Sequence, residues 1–141
     1  MQEVKSIRVV VDTNIFISFL IGRKLKGLKI HLVNFQVKLV YTDQSIEELR
    51  LVTKRPALRK YFPPKDVEEL LKLISGIGDL IDISEEPDVC RDPKDNYLLA
   101  LSDKGNVVYL VTGDKDLLSL KRYKSTDIIS YTEFETILTN I

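Results

Sequence analysis

The chain has 141 residues, 44% of them hydrophobic and 30% charged, which reads as one ordinary soluble, globular domain long enough to bury a core. Lys+Arg and Asp+Glu both number 21, so the net charge is zero and the basic balance of a typical nucleic-acid binder is absent. A single cysteine, Cys90, rules out an internal disulfide framework and argues against a Cys-based zinc site, and a single histidine, His31, leaves the chemistry to carboxylates, hydroxyls and amines. No apolar run is long enough to span a bilayer, and the start, Met1 to Lys5, lacks the apolar stretch of a signal peptide, so a cytoplasmic protein without a membrane partner is expected.

The elements alternate along the chain, without internal repeats, low-complexity segments or long linkers. Ile7 to Val11 is a β-branched run that reads as a buried strand, ending at Asp12-Thr13-Asn14 before a helix over Ile15 to Leu20. The basic segment Arg23 to Lys29 leads into a second helical stretch ending near Phe35, and Val37 to Tyr41 is the second strand. Thr42 or Asp43 can cap a helix with Ile46, Leu49, Val52 and Thr53 on one face. Pro63-Pro64 marks the first turn of a helix with Val67, Leu70, Leu71 and Ile74. Leu80 to Ile83 reads as a third strand, Asp92-Pro93 as the opening of a helix carrying Leu98, Leu99 and Leu101, and Val107 to Val111 as a fourth strand. A short helix with Leu117 and Leu118, a last strand at Ile128-Ile129 and a helix capped by Thr132 and Glu135 follow. Alternation of this kind predicts one α/β domain over residues 1–141 with a mostly parallel sheet, and such sheets bind ligands at the carboxyl ends of their strands.

The acids fall where that rule looks for them. Asp12 follows the first strand, and Asp114 and Asp116 follow the fourth across Thr112-Gly113. Each alone reads as a helix cap or a first-turn dipole partner. With Asp92 as cap and Pro93 at the first helical position, Asp95 occupies the third, on the apolar stripe of Leu98 and Leu99, where a carboxylate is costly unless paired or bound to metal. At about 100° per residue Glu48 borders the apolar stripe of its helix while Glu47 points to solvent. Several dispersed acids meeting at one sheet edge repel one another unless a cation neutralises them, and oxygen-only ligands suit Mg²⁺ or Mn²⁺. Thr13, Asn14 and Thr112 stand beside Asp12 and Asp114 and can orient carboxylates, or serve only as turn and cap residues. Basic residues cluster at Arg23, Lys24, Lys26 and Lys29, again at Lys54 to Lys60, and at Lys121 to Lys124; solvated surface is the default, with Arg23 to Lys29 the preferred guide for a phosphate backbone.

These residues resemble the PIN domain family. Val9-Val10-Val11-Asp12-Thr13-Asn14-Ile15 is similar to its opening motif; Thr42 with Ile46-Glu47-Glu48-Leu49 to the second; Asp92-Pro93-Lys94-Asp95-Asn96 to the third; and Val111-Thr112-Gly113-Asp114-Lys115-Asp116 to the fourth. The resemblance runs over nearly the whole chain and is nearest to the VapC-like toxin components of prokaryotic toxin–antitoxin systems. It implies a three-layer α/β/α sandwich, metal-binding catalytic acids at Asp12, Glu48, Asp95 and Asp114 with Asp116 in addition, Mg²⁺ or Mn²⁺, RNA as substrate, a homodimer and a small antitoxin partner. The competing readings are the same chemistry in RNA processing without an antitoxin, a catalytically silent binding domain, and a phosphoryl-relay receiver, for which Asp82 within the third strand and Lys115 in a turn fit poorly.

Overall fold

The computed structural model describes residues 7–34, 37–83 and 95–140. Six strands form one sheet: β1 (Ile7–Val11), β2 (Val37–Tyr41), β3 (Gly78–Leu80), β4 (Tyr109–Val111), β5 (Arg122–Tyr123) and β6 (Thr126–Ile129). Their spatial order is β3-β2-β1-β4-β6-β5, parallel throughout except for the short β5–β6 hairpin. The helices are α1 (Thr13–Ile21), α2 (Leu25–Asn34), α3 (Asp43–Thr53), α4 (Pro64–Ile77), α5 (Asn96–Lys104), α6 (Lys115–Leu120) and α7 (Tyr131–Thr139), with a 3₁₀ helix at Pro56–Tyr61.

Side chains alternate across the strands, so neighbouring residues of one strand enter two different cores. Val9, Val11, Leu39, Val111 and Ile129 pack with Phe16, Leu20, Leu32, Leu49, Leu70 and Phe134, which places α1, α2, α3, α4 and α7 on one face. Val10, Val40, Leu110 and Ile128 pack with Tyr97, Leu99, Leu101 and Leu117, which places α5 and α6 on the other. The result is a three-layer α/β/α sandwich. Burial on both faces explains why the central strands are continuous apolar runs. Among the described residues no helix is long and apolar enough to cross a membrane.

Several boundaries differ from the sequence expectation. The third strand is Gly78–Leu80, not Leu80 to Ile83, because α4 runs directly into it through Gly78. A Cβ at Gly78 would stand 2.5 Å from the Tyr41 ring and closer still to the Ile74 carbonyl, so only glycine lets the helix end lie so near β2. Ile81 and Ile83 gave that segment its strand-like pattern, but they pack against the α5 core after the strand has ended. The fourth strand starts at Tyr109, since the Val107 N–H closes the end of α5 onto the Ser102 carbonyl (3.1 Å). The last helix is capped two residues earlier than expected: Ser130 and Glu133 exchange the paired bonds of a capping box, at 3.2 Å each. Within its described residues, α5 begins at Asn96 with Asp95 at its cap position in helical conformation; Asp92, Pro93 and Cys90 lie outside the described residues.

Candidate active site

The strand order reverses between β1 and β4. β2 and β3 lie on one side of this point, β6 and β5 on the other, and such a switch point opens a crevice at the carboxyl ends of the two central strands. Asp12 is the first residue beyond β1, and its N–H donates to the Val111 carbonyl of β4 at 2.9 Å. Thr112 is the first beyond β4, anchored to the Ile129 carbonyl at 3.0 Å. The two side chains meet: the Thr112 hydroxyl donates to Asp12 Oδ2 at 2.8 Å.

Asp12 also caps α1, its Oδ1 accepting from the Asn14 N–H at 3.1 Å. It is only 5% exposed. Burial pushes its carboxyl above the usual carboxylate range, the bonds from the Asn14 amide and the Thr112 hydroxyl pull it back in part, and the nearby Asp114 charge raises it further. The capping role and an electrostatically loaded position therefore coexist in one residue.

Thr112 reaches both acids. Its Oγ1 accepts from the Asp114 N–H at 3.1 Å while donating to Asp12. Asp114 is half-buried and caps α6, accepting from the Asp116 and Leu117 N–H groups at 2.8 and 3.1 Å. Asp116 lies exposed in the first turn of that helix.

Glu48 comes from α3, which packs against α1. Its half-buried carboxylate accepts two bonds at the same oxygen, from the Thr13 hydroxyl at 2.9 Å and from the Tyr97 hydroxyl at 2.8 Å. Glu47, one position earlier, is exposed. Tyr97 is 1% exposed on α5, two residues after Asp95. Burial, then the charge and hydrogen bond of Glu48, raise its phenol far above its ordinary value, so it remains a proton donor to that carboxylate. Asp95 is half-buried with one carboxylate oxygen enclosed, and it makes no capping bond to α5.

Thus Asp12 after β1 and Asp114 after β4 share Thr112, Glu48 on α3 is bonded to Thr13 beside Asp12, and Asp95 stands two residues before Tyr97, the other donor to Glu48. Asp12 and Asp114 sense each other's charge, while Glu48 is joined to Asp12's neighbour Thr13. Among the described residues, no three His, Cys, Asp or Glu side chains are grouped closely enough to hold a metal ion as they stand. Their donors are nevertheless all hard oxygens, the kind suited to Mg²⁺ or Mn²⁺. Asn14 contributes its backbone N–H, with its side chain exposed. The basic residues Arg23, Lys24, Lys26 and Lys29 are exposed: Arg23 and Lys24 follow the far end of α1, whose nine residues rise about 13 Å from its Asp12 cap, and Lys26 and Lys29 lie on α2 beside Glu69 and Leu73 of α4.

Sequence reasoning missed Tyr97, which reads as one more apolar residue in the run Tyr97 to Leu101. The available signal was chemical: a buried tyrosine hydroxyl needs a partner, and this one stands two positions from a site acid.

Comparison with known proteins shows the family of this fold. The chain matches the PIN domain family over residues 8–116, a span that begins in β1 and ends in the first turn of α6. It is 36% identical over 124 residues to the uncharacterized protein MJ1680 of Methanocaldococcus jannaschii, covering 86% of this chain and 79% of that protein. No solved structure matches it. The chain belongs to the PIN domain family, a family of nucleases.

Proposed function

We propose that this PIN domain is a metal-dependent endoribonuclease that hydrolyses RNA phosphodiester bonds. The observation that carries the reading is Asp12: a carboxylate buried at the switch point, raised by that burial and by Asp114, and held by a hydroxyl that also contacts Asp114. A buried acid beside a second acid is a costly arrangement that a bound cation relieves. Asp12, Glu48, Asp95 and Asp114 are the residues that would hold Mg²⁺ or Mn²⁺, with Asp116 an outer contributor. The ion would supply positive charge against the phosphodiester and Lewis acidity toward the attacking water. The chain's own part is orientation. Thr112 fixes Asp12, Thr13 and Tyr97 fix Glu48, and Asn14 aims the free lone pairs of Asp12 through its backbone N–H.

Cleavage of a mixed RNA pool by the purified protein, with Mn²⁺, without it and after EDTA, tests the reading. Cutting should require the metal and disappear in Asp12→Asn and Asp95→Asn. Full activity in both variants would refute the assigned site.

We further read the protein as the cytoplasmic toxin of a toxin–antitoxin pair, acting as a homodimer. This rests on the likeness of its four motifs to that subgroup. Induced expression should arrest growth, and co-expression of a small protein encoded beside it should relieve the arrest; unhindered growth with active nuclease would favour a role in RNA processing.

A further inference from the structure

A second surface at the same end of the sheet is unused by the site just described. An open groove of about 940 Å³ runs between α3 and α4 toward the 3₁₀ helix. Tyr41 and Leu80, the last residues of β2 and β3, line it, as do the apolar Ile46, Phe62 and Leu71. Arg50, Lys54 and Arg59 stand along it, all exposed. Two acids also line it: Glu68, paired with Lys72 at 3.5 Å, and Asp43 in the first turn of α3.

Charge is segregated here although the chain as a whole is neutral. Between Arg50 and Lys65 there are six cations and no acid. All six are exposed, and Lys60 lies 5.0 Å from the centre of the Tyr61 ring. The basic track therefore extends beyond the groove and around the 3₁₀ helix. A long basic track with apolar and aromatic surface beneath it matches a single-stranded polyanion, whose phosphates meet cations and whose bases meet ring faces. A short acidic peptide would fill the groove but leave Arg55, Lys60 and Lys65 unused.

Position joins the groove to the acids. β2 pairs directly with β1, so the lining residue Tyr41 is one strand, about 5 Å in sheet spacing, from the strand that leads into Asp12. Along α3, Glu48 and Arg50 lie about 200° apart, so one wall carries an acid toward Thr13 and a cation toward the groove.

We propose that the α3–α4 groove binds single-stranded RNA and leads it past the start of α3 to the acids, with Arg50, Lys54 and Arg59 on its phosphates. The inference rests on the nuclease reading only in taking RNA as the substrate. It is tested by fluorescence anisotropy of a labelled single-stranded oligouridine with the Asp12→Asn protein in EDTA, over a range of salt. Arg50→Glu with Lys54→Glu should weaken binding at least tenfold and lower the slope of log affinity against log salt by about 1.4, two phosphates at about 0.7 each. Arg59→Ala, a milder change, should lower the slope by about 0.7. Lys104→Glu, in the last turn of α5, should leave both unchanged. Circular dichroism checks that each variant is folded.

Unchanged affinity in the groove variants, an equal loss in Lys104→Glu, or no RNA binding by the parent protein would overturn the proposal. So would an acidic amphipathic peptide that binds the groove while RNA binding ignores it. The assay needs neither metal nor turnover. A groove that binds RNA in a protein that cuts nothing would remove the nuclease reading alone, and a cutting protein whose groove variants bind RNA normally would remove this one alone.

Discussion

Thr112→Val isolates the link between the two central strands. Thr112 is fully buried, and valine has nearly its shape, so the change removes one hydroxyl and little else. Two bonds go with it: the donation to Asp12 Oδ2 at 2.8 Å and the acceptance from the Asp114 N–H at 3.1 Å. A hydrogen bond to a charged acceptor contributes about 1.5–3 kcal/mol and an ordinary one about 0.5–1.5 kcal/mol. The new buried methyl returns about 0.8 kcal/mol, leaving a net loss of about 2 kcal/mol. With a urea slope of about 2 kcal/mol per molar, the unfolding midpoint should fall by about 1 M. Thr112→Ser keeps the hydroxyl and should lose only about 1 kcal/mol, for the missing methyl. The deficit of the valine variant should also depend on pH. Thr112 favours the ionised form of Asp12, so its loss matters most where Asp12 is charged, and the gap should narrow as pH falls through the raised pKa of that acid. A deficit under about 0.5 kcal/mol at neutral pH, or one that stays constant on acidification, would refute the reasoning.

Tyr97→Phe removes one of the two donors that hold Glu48 Oε2; stability should fall by about 1–2 kcal/mol and Mn²⁺-dependent cleavage by about 10–100-fold, with the circular dichroism spectrum unchanged. Cleavage at the parent rate would show that Thr13 alone orients Glu48. Asp12→Asn should melt no lower than the parent at neutral pH when both are measured in EDTA. The folded pKa of Asp12 lies above its unfolded value, so its stabilising contribution is full below the unfolded pKa and is lost as pH rises through the folded one. The advantage of the variant should therefore vanish in acid, and a lower melting temperature at neutral pH would contradict the assigned burial cost. Gly78→Ala should cost about 1–3 kcal/mol, read as a lower melting temperature, because its Cβ meets the Tyr41 ring and the Ile74 carbonyl.

How much of this was legible depends on the range of the interactions involved. β1 and β2 carry the bounds read from the sequence, since strands buried on both faces are continuous apolar runs. β5 was invisible: two residues, Arg122 and Tyr123, pair only because Lys124 adopts a left-handed backbone that turns the chain back. The same signal misled at Ile81 and Ile83, whose apolar pattern serves packing rather than pairing. The acids themselves could be chosen locally, from strand ends and helix faces. Their support could not. Thr112 and Asp12 are 100 positions apart, Tyr97 and Glu48 49 positions apart, and only the strand order and the crossing of α5 bring each pair together.

The supporting groups explain how a neutral chain can hold acids in this arrangement. Thr13 and Thr112 each follow directly upon a strand end or its acid, and each spends its hydroxyl on a carboxylate carried by a different element. Thr13 ties α1 to α3, Thr112 ties the end of β4 to Asp12 at the end of β1, and Tyr97 ties α5 to α3. Each bond therefore fixes a carboxylate and also joins two parts of the framework, so the orientation of the acids is coupled to the packing of the sandwich. Disturbing any one of the three should loosen both. That coupling is why stability and cleavage are expected to fall together in Thr112→Val and Tyr97→Phe, whereas Asp12→Asn, which relieves a buried charge and keeps one of the two acceptor oxygens, should separate them.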